Sequence, residues 1–197
     1  MLKIGITGGI GSGKTIICKL FELQKIPVFY ADAQAKSIMH TDATLIAALK
    51  EAFGKDIYTD NILNRSKLAA QVFSDKEKLA KLNSLVHPAV FKAFDNWISQ
   101  QEAPYLLKEA ALLFESGSDK DCDFTILVKS PLDLKISRVV ARDSVSEEEV
   151  QKRIKNQMSD EQKEVLADFT ILNDEENLVI PQVLKLHQFF LNQVNVK

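Results

Sequence analysis

Short apolar runs alternate with longer stretches of helical spacing along most of the chain. Leu2-Lys3-Ile4-Gly5-Ile6-Thr7 reads as a short buried strand, and Ile16-Ile17-Cys18-Lys19-Leu20-Phe21 opens the helical run that follows it. A second strand, 26–31, hands over to a helix at 33–39. The alternation resumes with strands at 104–109, 123–128 and 168–172. Residues 123–128 (Asp-Phe-Thr-Ile-Leu-Val) are apolar on both faces, as a strand inside a parallel sheet must be. This order predicts an α/β class: a parallel sheet flanked by helices.

Between 41 and 103 the strands stop. The spacing there predicts helices at 44–53, 66–73, 74–85 and 89–101. Ser74-x-x-Glu77 is the capping box of the third, and Val86-His87-Pro88 is its stop and the restart of the fourth. Residues 54–65 are polar and rich in turn formers. A helical lobe of this size suits a second substrate, and a purely structural lobe fits the same pattern. Downstream, Pro131 begins a helix with Lys135, Arg138 and Arg142 on one face. Two capping boxes follow, Ser146-x-x-Glu149 and Ser159-x-x-Gln162; Val150, Ile154 and Met158 line one face of the first of these short helices. The terminal helix, 178–194, is expected to pack through Ile180, Val183, Leu184, Leu191 and Val194, with Pro181 tolerated in its first turn. The expected division is a core of 1–40, 104–135 and 166–197, a helical lobe of 41–103, and a charged segment of 136–165.

Composition narrows the class. A chain of 197 residues can bury a sizeable core. Its net charge of −2 lacks the basic field of a nucleic-acid binder, so no nucleic-acid partner is expected. No apolar run reaches the length of a membrane span and the N-terminal one is broken by glycine, which points to the cytoplasm, with no membrane partner. Two cysteines, Cys18 and Cys122, make neither a disulfide framework nor a metal-ligand spacing. Cys18 falls on the core face of the first helix.

The chemistry is concentrated in Gly8-Gly-Ile-Gly-Ser-Gly-Lys-Thr15, which fits Gly, four residues, Gly-Lys-Ser/Thr between a strand and a helix. Of seven glycines in the chain, five (Gly5, Gly8, Gly9, Gly11, Gly13) lie in this one segment, so an ordinary turn is a poor account of it. Glycine is required because the loop must wrap an anion with its backbone N–H groups. The following helix adds its unpaired first-turn N–H groups. Lys14 brings an ammonium to the β- and γ-phosphates, and the Thr15 hydroxyl is placed to ligate Mg²⁺.

Such a loop serves kinases, GTPases, motors and binding modules. An Asn-Lys-x-Asp guanine-reading segment is missing, as is an apolar strand ending in Asp-Glu, which leaves a small phosphotransferase. Asp32, just past the second strand, belongs at the carboxyl edge of the sheet, where open α/β folds bind ligands. A helix cap is the other role that position allows. The segment from Arg138 to about Gln157 is the natural arginine-bearing lid, or else a solvated charged face.

Further elements resemble one family, dephospho-CoA kinase, over nearly the whole chain. Thr7-Gly-Gly-Ile-Gly-Ser-Gly-Lys14 looks like its loop. Ala31-Asp32 matches the second half of its Asp-Ala-Asp signature, and Leu63-Asn64-Arg65 through Val72-Phe73 is similar to its acceptor-lobe helix. Leu82-Asn83-x-x-Val86-His87-Pro88 resembles its Leu-Asn-x-x-x-His-Pro element. Leu112-Leu113-Phe114-Glu115 matches its Pro-Leu-Leu-Phe-Glu element in all but the proline, replaced by Ala111. Arg142-Asp143 and Gln157 sit where its lid residues sit, and Ala167-Asp168-Phe169 with Asn173 matches its last strand. Tyr30 stands where the family has the first aspartate.

The resemblance implies a three-layer P-loop kinase fold and ATP-dependent phosphorylation of the ribose 3′-hydroxyl of dephospho-coenzyme A, with Mg²⁺. It implies nucleotide binding by Gly9, Gly11, Ser12, Gly13, Lys14, Thr15 and Ile16, and Asn173 near the adenine. Asp32 is then the base, Arg142 the lid clamp on the transferring group, and Arg65 and His87 acceptor-side residues. His87 reads equally well as a buried histidine at a helix junction. Another nucleoside or nucleotide kinase, or a non-catalytic nucleotide-binding protein, is the alternative function.

Overall fold

The computed structural model describes residues 1–60, 62–72 and 75–194. The chain runs β1 (Leu2–Thr7), α1 (Lys14–Leu23), β2 (Val28–Tyr30), α2 (Ala31–Thr41) and α3 (Ala43–Phe53). A short hairpin, β3 (Tyr58–Thr59) and β4 (Ile62–Leu63), leads to α4 (Arg65–Val72) and α5 (Lys76–Ile98). Then come β5 (Tyr105–Glu109), β6 (Phe124–Lys129), α6 (Leu132–Asp143), α7 (Glu147–Lys155), α8 (Asp160–Leu166), β7 (Phe169–Leu172) and α9 (Val179–Val194). They form two compact units, Met1–Tyr30 with Glu102–Lys197, and Ala31–Gln101. Among the described residues no helix is long and apolar enough to cross a membrane.

The first unit holds one sheet in the order β2-β5-β1-β6-β7, every neighbouring pair parallel. The central strand β1 is buried along nearly its whole length, covered on both faces. Ile4 and Ile6 are fully buried, packed with Ile17, Cys18 and Phe21 of α1 and Val183 and Phe190 of α9. Cys18 behaves as a small hydrophobe, and its burial pushes the thiol pKa far up. In α9 the packed stripe is Val179, Val183, Phe190 and Val194. Ile180 and Leu184 are exposed, contrary to the spacing-based expectation: four apart, they share a line off that stripe. Gln182 reaches from α9 to the edge strand β7, where its Oε1 accepts from Leu172 N (2.9 Å) and its Nε2 donates to Leu172 O (2.9 Å). A side-chain amide thus occupies backbone groups that an open edge would leave unpaired.

The second unit is built on α3, α4 and α5, around Leu45, Leu49, Phe53, Leu68, Val72 and Val86. Asp42 caps α3, accepting from Leu45 N at 2.9 Å. The polar, turn-rich stretch 54–65 holds a 3₁₀ turn (Lys55–Ile57) and the β3–β4 hairpin, whose Tyr58 and Leu63 are buried. One expectation fails here: α5 is one continuous helix with Pro88 inside it, not two helices broken at His87-Pro88. An interior proline forfeits one i→i−4 bond. Here Leu82, Leu85, Val86, Ala89 and Val90 pack on the same cluster from both sides of Pro88, and that burial carries the helix through. Ser74, the expected cap, lies outside the described residues; Asp75 caps α5, accepting from Glu77 N and Lys78 N at 3.0 Å.

Candidate active site

The phosphate loop joins β1 to α1 at the carboxyl edge of the sheet. Gly11 (φ 82°) and Gly13 (φ 90°) occupy the left-handed region that only glycine enters freely. Each also has a neighbour where a Cβ would sit: the Lys135 carbonyl over Gly11 and the Asn173 amide over Gly13. Gly13 is the N-cap of α1 and brings no side-chain cap to its first turn, where Ile16 N–H donates back to Gly13 O at 2.9 Å. The Lys14 ammonium lies along the loop, donating to Gly8 O (2.8 Å) and Gly9 O (3.4 Å). Ser12 is fully buried, while Thr15 and Ile16 are exposed on the first turn of α1.

Asn173 follows β7. Its Nδ2 donates to Ser12 O at 2.8 Å and its own N–H to Lys129 O at 2.8 Å, so it braces the loop from the neighbouring strand ends. Its carbonyl accepts from Ser130 Oγ and from Arg138 Nη1 (3.2 Å), and Arg138 also pairs with Glu175 at 3.0 Å. Behind the loop stands a buried ion pair, Lys135 Nζ to Asp160 Oδ2 at 2.7 Å. Lys163 is fully buried as well, held by Ala111 O (3.0 Å) and Glu115 Oε1 (3.1 Å). The Ala111 carbonyl that holds Lys163 also accepts from Thr7 Oγ1 (3.3 Å). A cavity of about 460 Å³ opens beside Gly9, Lys135, Leu132, Ile154, Met158 and Leu172.

Arg142 lies in the last turn of α6, its side chain 62% exposed and paired with Asp143 at 2.7 Å. Asp143 also takes Arg153 of α7 at 3.0 Å. The two guanidiniums, Arg142 first, hold the Asp143 carboxyl below the usual aspartate range. Tyr30 ends β2, and its hydroxyl donates to Glu22 Oε1 at 3.1 Å. Glu109 ends β5, nearly buried and in register with both Tyr30 and Ile6.

The remaining expected residues belong to the second unit. Asp32 is exposed in the first turn of α2, which begins at Ala31, so it lies inside the helix and is not its cap. Arg65 opens α4, exposed, with its Nη2 3.4 Å from His40 Nε2. His87 sits mid-way along α5, half-buried, edge-on to Phe91 at 6.5 Å between centroids, and its burial lowers its pKa.

Among the described residues no three carboxylate, imidazole or thiol groups converge as a metal cage. The exposed Thr15 hydroxyl is an oxygen donor of the kind a small hard cation takes alongside water and phosphate oxygens. Sequence patterns missed Asp160 and Lys163, since a charged run reads as solvated. Only the Ser159-x-x-Gln162 box pointed to this corner, where the full reciprocal cap forms.

The family model for dephospho-CoA kinase matches residues 2–178. A dephospho-CoA kinase of Bacteroides fragilis is 37% identical over 195 residues, covering 98% of this chain and 95% of its own. That of Salinibacter ruber is 43% identical over 178 residues, 88% of this chain and 89% of its own. The crystal structure of TT1252 from Thermus thermophilus superposes with a TM-score of 0.86 at 35% identity, covering 95% of this chain and 96% of that one.

Proposed function

The chain belongs to the dephospho-CoA kinase family, and we propose how its residues divide the phosphorylation of dephospho-CoA to CoA by ATP. The observation that carries the assignment is the loop: two left-handed glycines, a first turn of α1 with no side-chain cap, and Lys14 lying along it. Gly9, Gly11, Ser12, Gly13, Thr15 and Ile16 form the triphosphate cradle. Lys14 exchanges its two loop carbonyls for β- and γ-phosphate oxygens, neutralising charge as the phosphoryl group moves. Asn173, bonded to the Ser12 carbonyl, keeps the cradle in register with β7 and lies on the adenine side.

Asp32 accepts the proton of the ribose 3′-hydroxyl as its oxygen bonds to the γ-phosphorus. The bond from that phosphorus to the β–γ bridging oxygen breaks, and ADP leaves with the electron pair. Such transfers rest on positioning and charge neutralisation more than on covalent help from the protein. Mg²⁺, when bound, spreads the charge on the β- and γ-oxygens; Thr15 would hold it. Arg142, on the exposed end of α6, supplies the positive charge from the 136–165 segment. Arg65 and His87 serve the acceptor from the helical lobe. The reaction belongs in the cytoplasm.

The Asp32→Asn variant tests this reading. It leaves the helix start intact, and Tm should move little. Turnover should fall roughly a hundredfold or more, the usual contribution of a placed proton acceptor, with ATP affinity nearly unchanged. A folded variant with near-parental kcat would take Asp32 out of the mechanism. Nucleosides and nucleoside monophosphates, offered as acceptors to the parent enzyme, should release far less ADP than dephospho-CoA.

A further inference from the structure

The junction of α7 and α8 carries polar contacts that the chemistry above leaves unused. Ile10, at the crown of the phosphate loop, donates its backbone N–H to Gln157 Oε1 at 3.0 Å. Gln157 is half-buried and its own backbone is fixed, since its N–H donates to Ile154 O at 3.0 Å. The next residue, Met158, donates its N–H to Glu115 Oε1 at 2.9 Å, and Glu115 in turn holds buried Lys163. Two residues further, Asp160 closes the buried pair with Lys135, whose carbonyl lies against Gly11. Gln157 therefore projects from an anchored turn.

A phosphate loop works by aiming successive backbone N–H groups at one point. Ile10 stands between Gly9 and Gly11, and the peptide that carries its N–H turns at Gly9, where glycine constrains the backbone least. Gly9 gives that peptide little intrinsic reason to keep one orientation. A fixed acceptor 3.0 Å from its N–H supplies that reason.

We propose that Gln157 is a positioning residue for the phosphate loop: it pins the Gly9–Ile10 peptide, so that the α7–α8 junction sets the shape in which the loop meets ATP. The inference rests on the loop being the ATP site. Gln157→Met keeps the length and bulk and removes the acceptor; Gln157→Asn keeps the amide but is one methylene too short. Gln157→Glu keeps an acceptor at the same reach.

Two measurements on the full chain decide it: ATP affinity by calorimetry, and amide hydrogen exchange of Ile10 by NMR without nucleotide. For Met and Asn, ATP affinity should weaken about five- to tenfold, the scale of one net hydrogen bond, with KM for ATP rising in step and kcat falling less. KM for dephospho-CoA should stay within about twofold, since the pinned peptide serves the donor. Ile10 exchange should quicken by at least the same factor in Met and Asn, and return to the parental rate in Glu. Faster exchange with unchanged ATP affinity would make the contact merely structural and overturn the proposal, as would weaker affinity with unchanged exchange. A parent protein that bound no ATP would instead refute the reading of the loop.

Discussion

The Lys135–Asp160 pair allows a test of what holds the back of the phosphate loop. Both side chains are almost dry, 9% and 7% exposed, and the ion pair is 2.7 Å long. Removing one partner strands the other charge where water cannot reach it, which typically destabilises by about 3–5 kcal/mol. Lys135→Met and Asp160→Leu should each lower the Tm by roughly 6–20 °C, at about 2–4 °C per kcal/mol for a domain of this size. The double variant leaves no charge to strand and fills the space with apolar atoms, so it should return to within about 1 kcal/mol of the parent, or exceed it. The coupling in the double-mutant cycle would then be several kcal/mol, far above the few tenths expected of independent sites. Raising the salt concentration should change these differences little, because a buried pair is poorly screened. Thermal and urea unfolding of all four proteins give the cycle. Single variants within 1 kcal/mol of the parent, or a double variant as unstable as the sum of the singles, would refute the reasoning.

Arg142→Ala should lower kcat more than it raises KM, because the side chain is assigned to the transition state; a change confined to KM for the acceptor would make it a binding residue. Its Tm should hardly move, since an exposed pair such as Arg142–Asp143 contributes about 0–1 kcal/mol. Pro88→Ala restores a donor inside α5 and should stabilise the protein by about 1–3 kcal/mol in urea unfolding; a loss of stability would show that the proline's shape is needed there. His87 and His187 are both held below the ordinary histidine value of 6.5 by burial. The unfolded chain therefore binds their protons first, and stability present above pH 6.5 should fall as pH drops through the folded values. Tm measured from pH 8 to 5 should show this, with a flatter profile in His187→Gln.

The sheet was legible because each of its strands is a short apolar run that must be buried, and because the loop motif needs a strand before it and a helix after it. Strand order was not: nothing local in Tyr105–Glu109 says that it lies between β1 and β2. Local rules misled where packing outweighs them. Pro88 is a stop signal by its chemistry, yet buried residues on both sides of it hold α5 together. The β3–β4 hairpin has strands of two residues each, too short for any periodicity to register. In the site, the loop residues were readable as a motif. Their supports were not: Lys135 and Asp160 lie in charged runs, and only the fold shows that the two are buried against each other. Asn173 was expected on the adenine side, while its bond to the Ser12 carbonyl depends on β7 ending beside the loop.

Tyr30 stands at the carboxyl edge of the sheet, where the resemblance implies an aspartate, and the physical chemistry around it is specific. Burial first, then the nearby Cys18 and the bond to Glu22, pushes the phenol pKa well above its ordinary value, so it stays protonated at neutral pH. A neutral hydroxyl committed to Glu22 cannot replace an aspartate's negative charge. A carboxylate does stand one strand over. Glu109 ends β5 directly across from Tyr30 on one side and Ile6 on the other, about 5 Å away at the spacing of paired strands. Its field reaches the inner face of α1, where it adds to the burial that raises the Cys18 thiol while Lys14 works in the opposite direction. Glu109 and Lys14 therefore act on the same small region, one from the end of β5 and one from the start of α1. The carboxyl edge of the sheet thus carries Glu109 one strand over from β1, which leads into the phosphate loop. Asp32 lies two residues beyond Tyr30 in the chain, and its Asn variant tests the proposed base separately from the Glu109 charge.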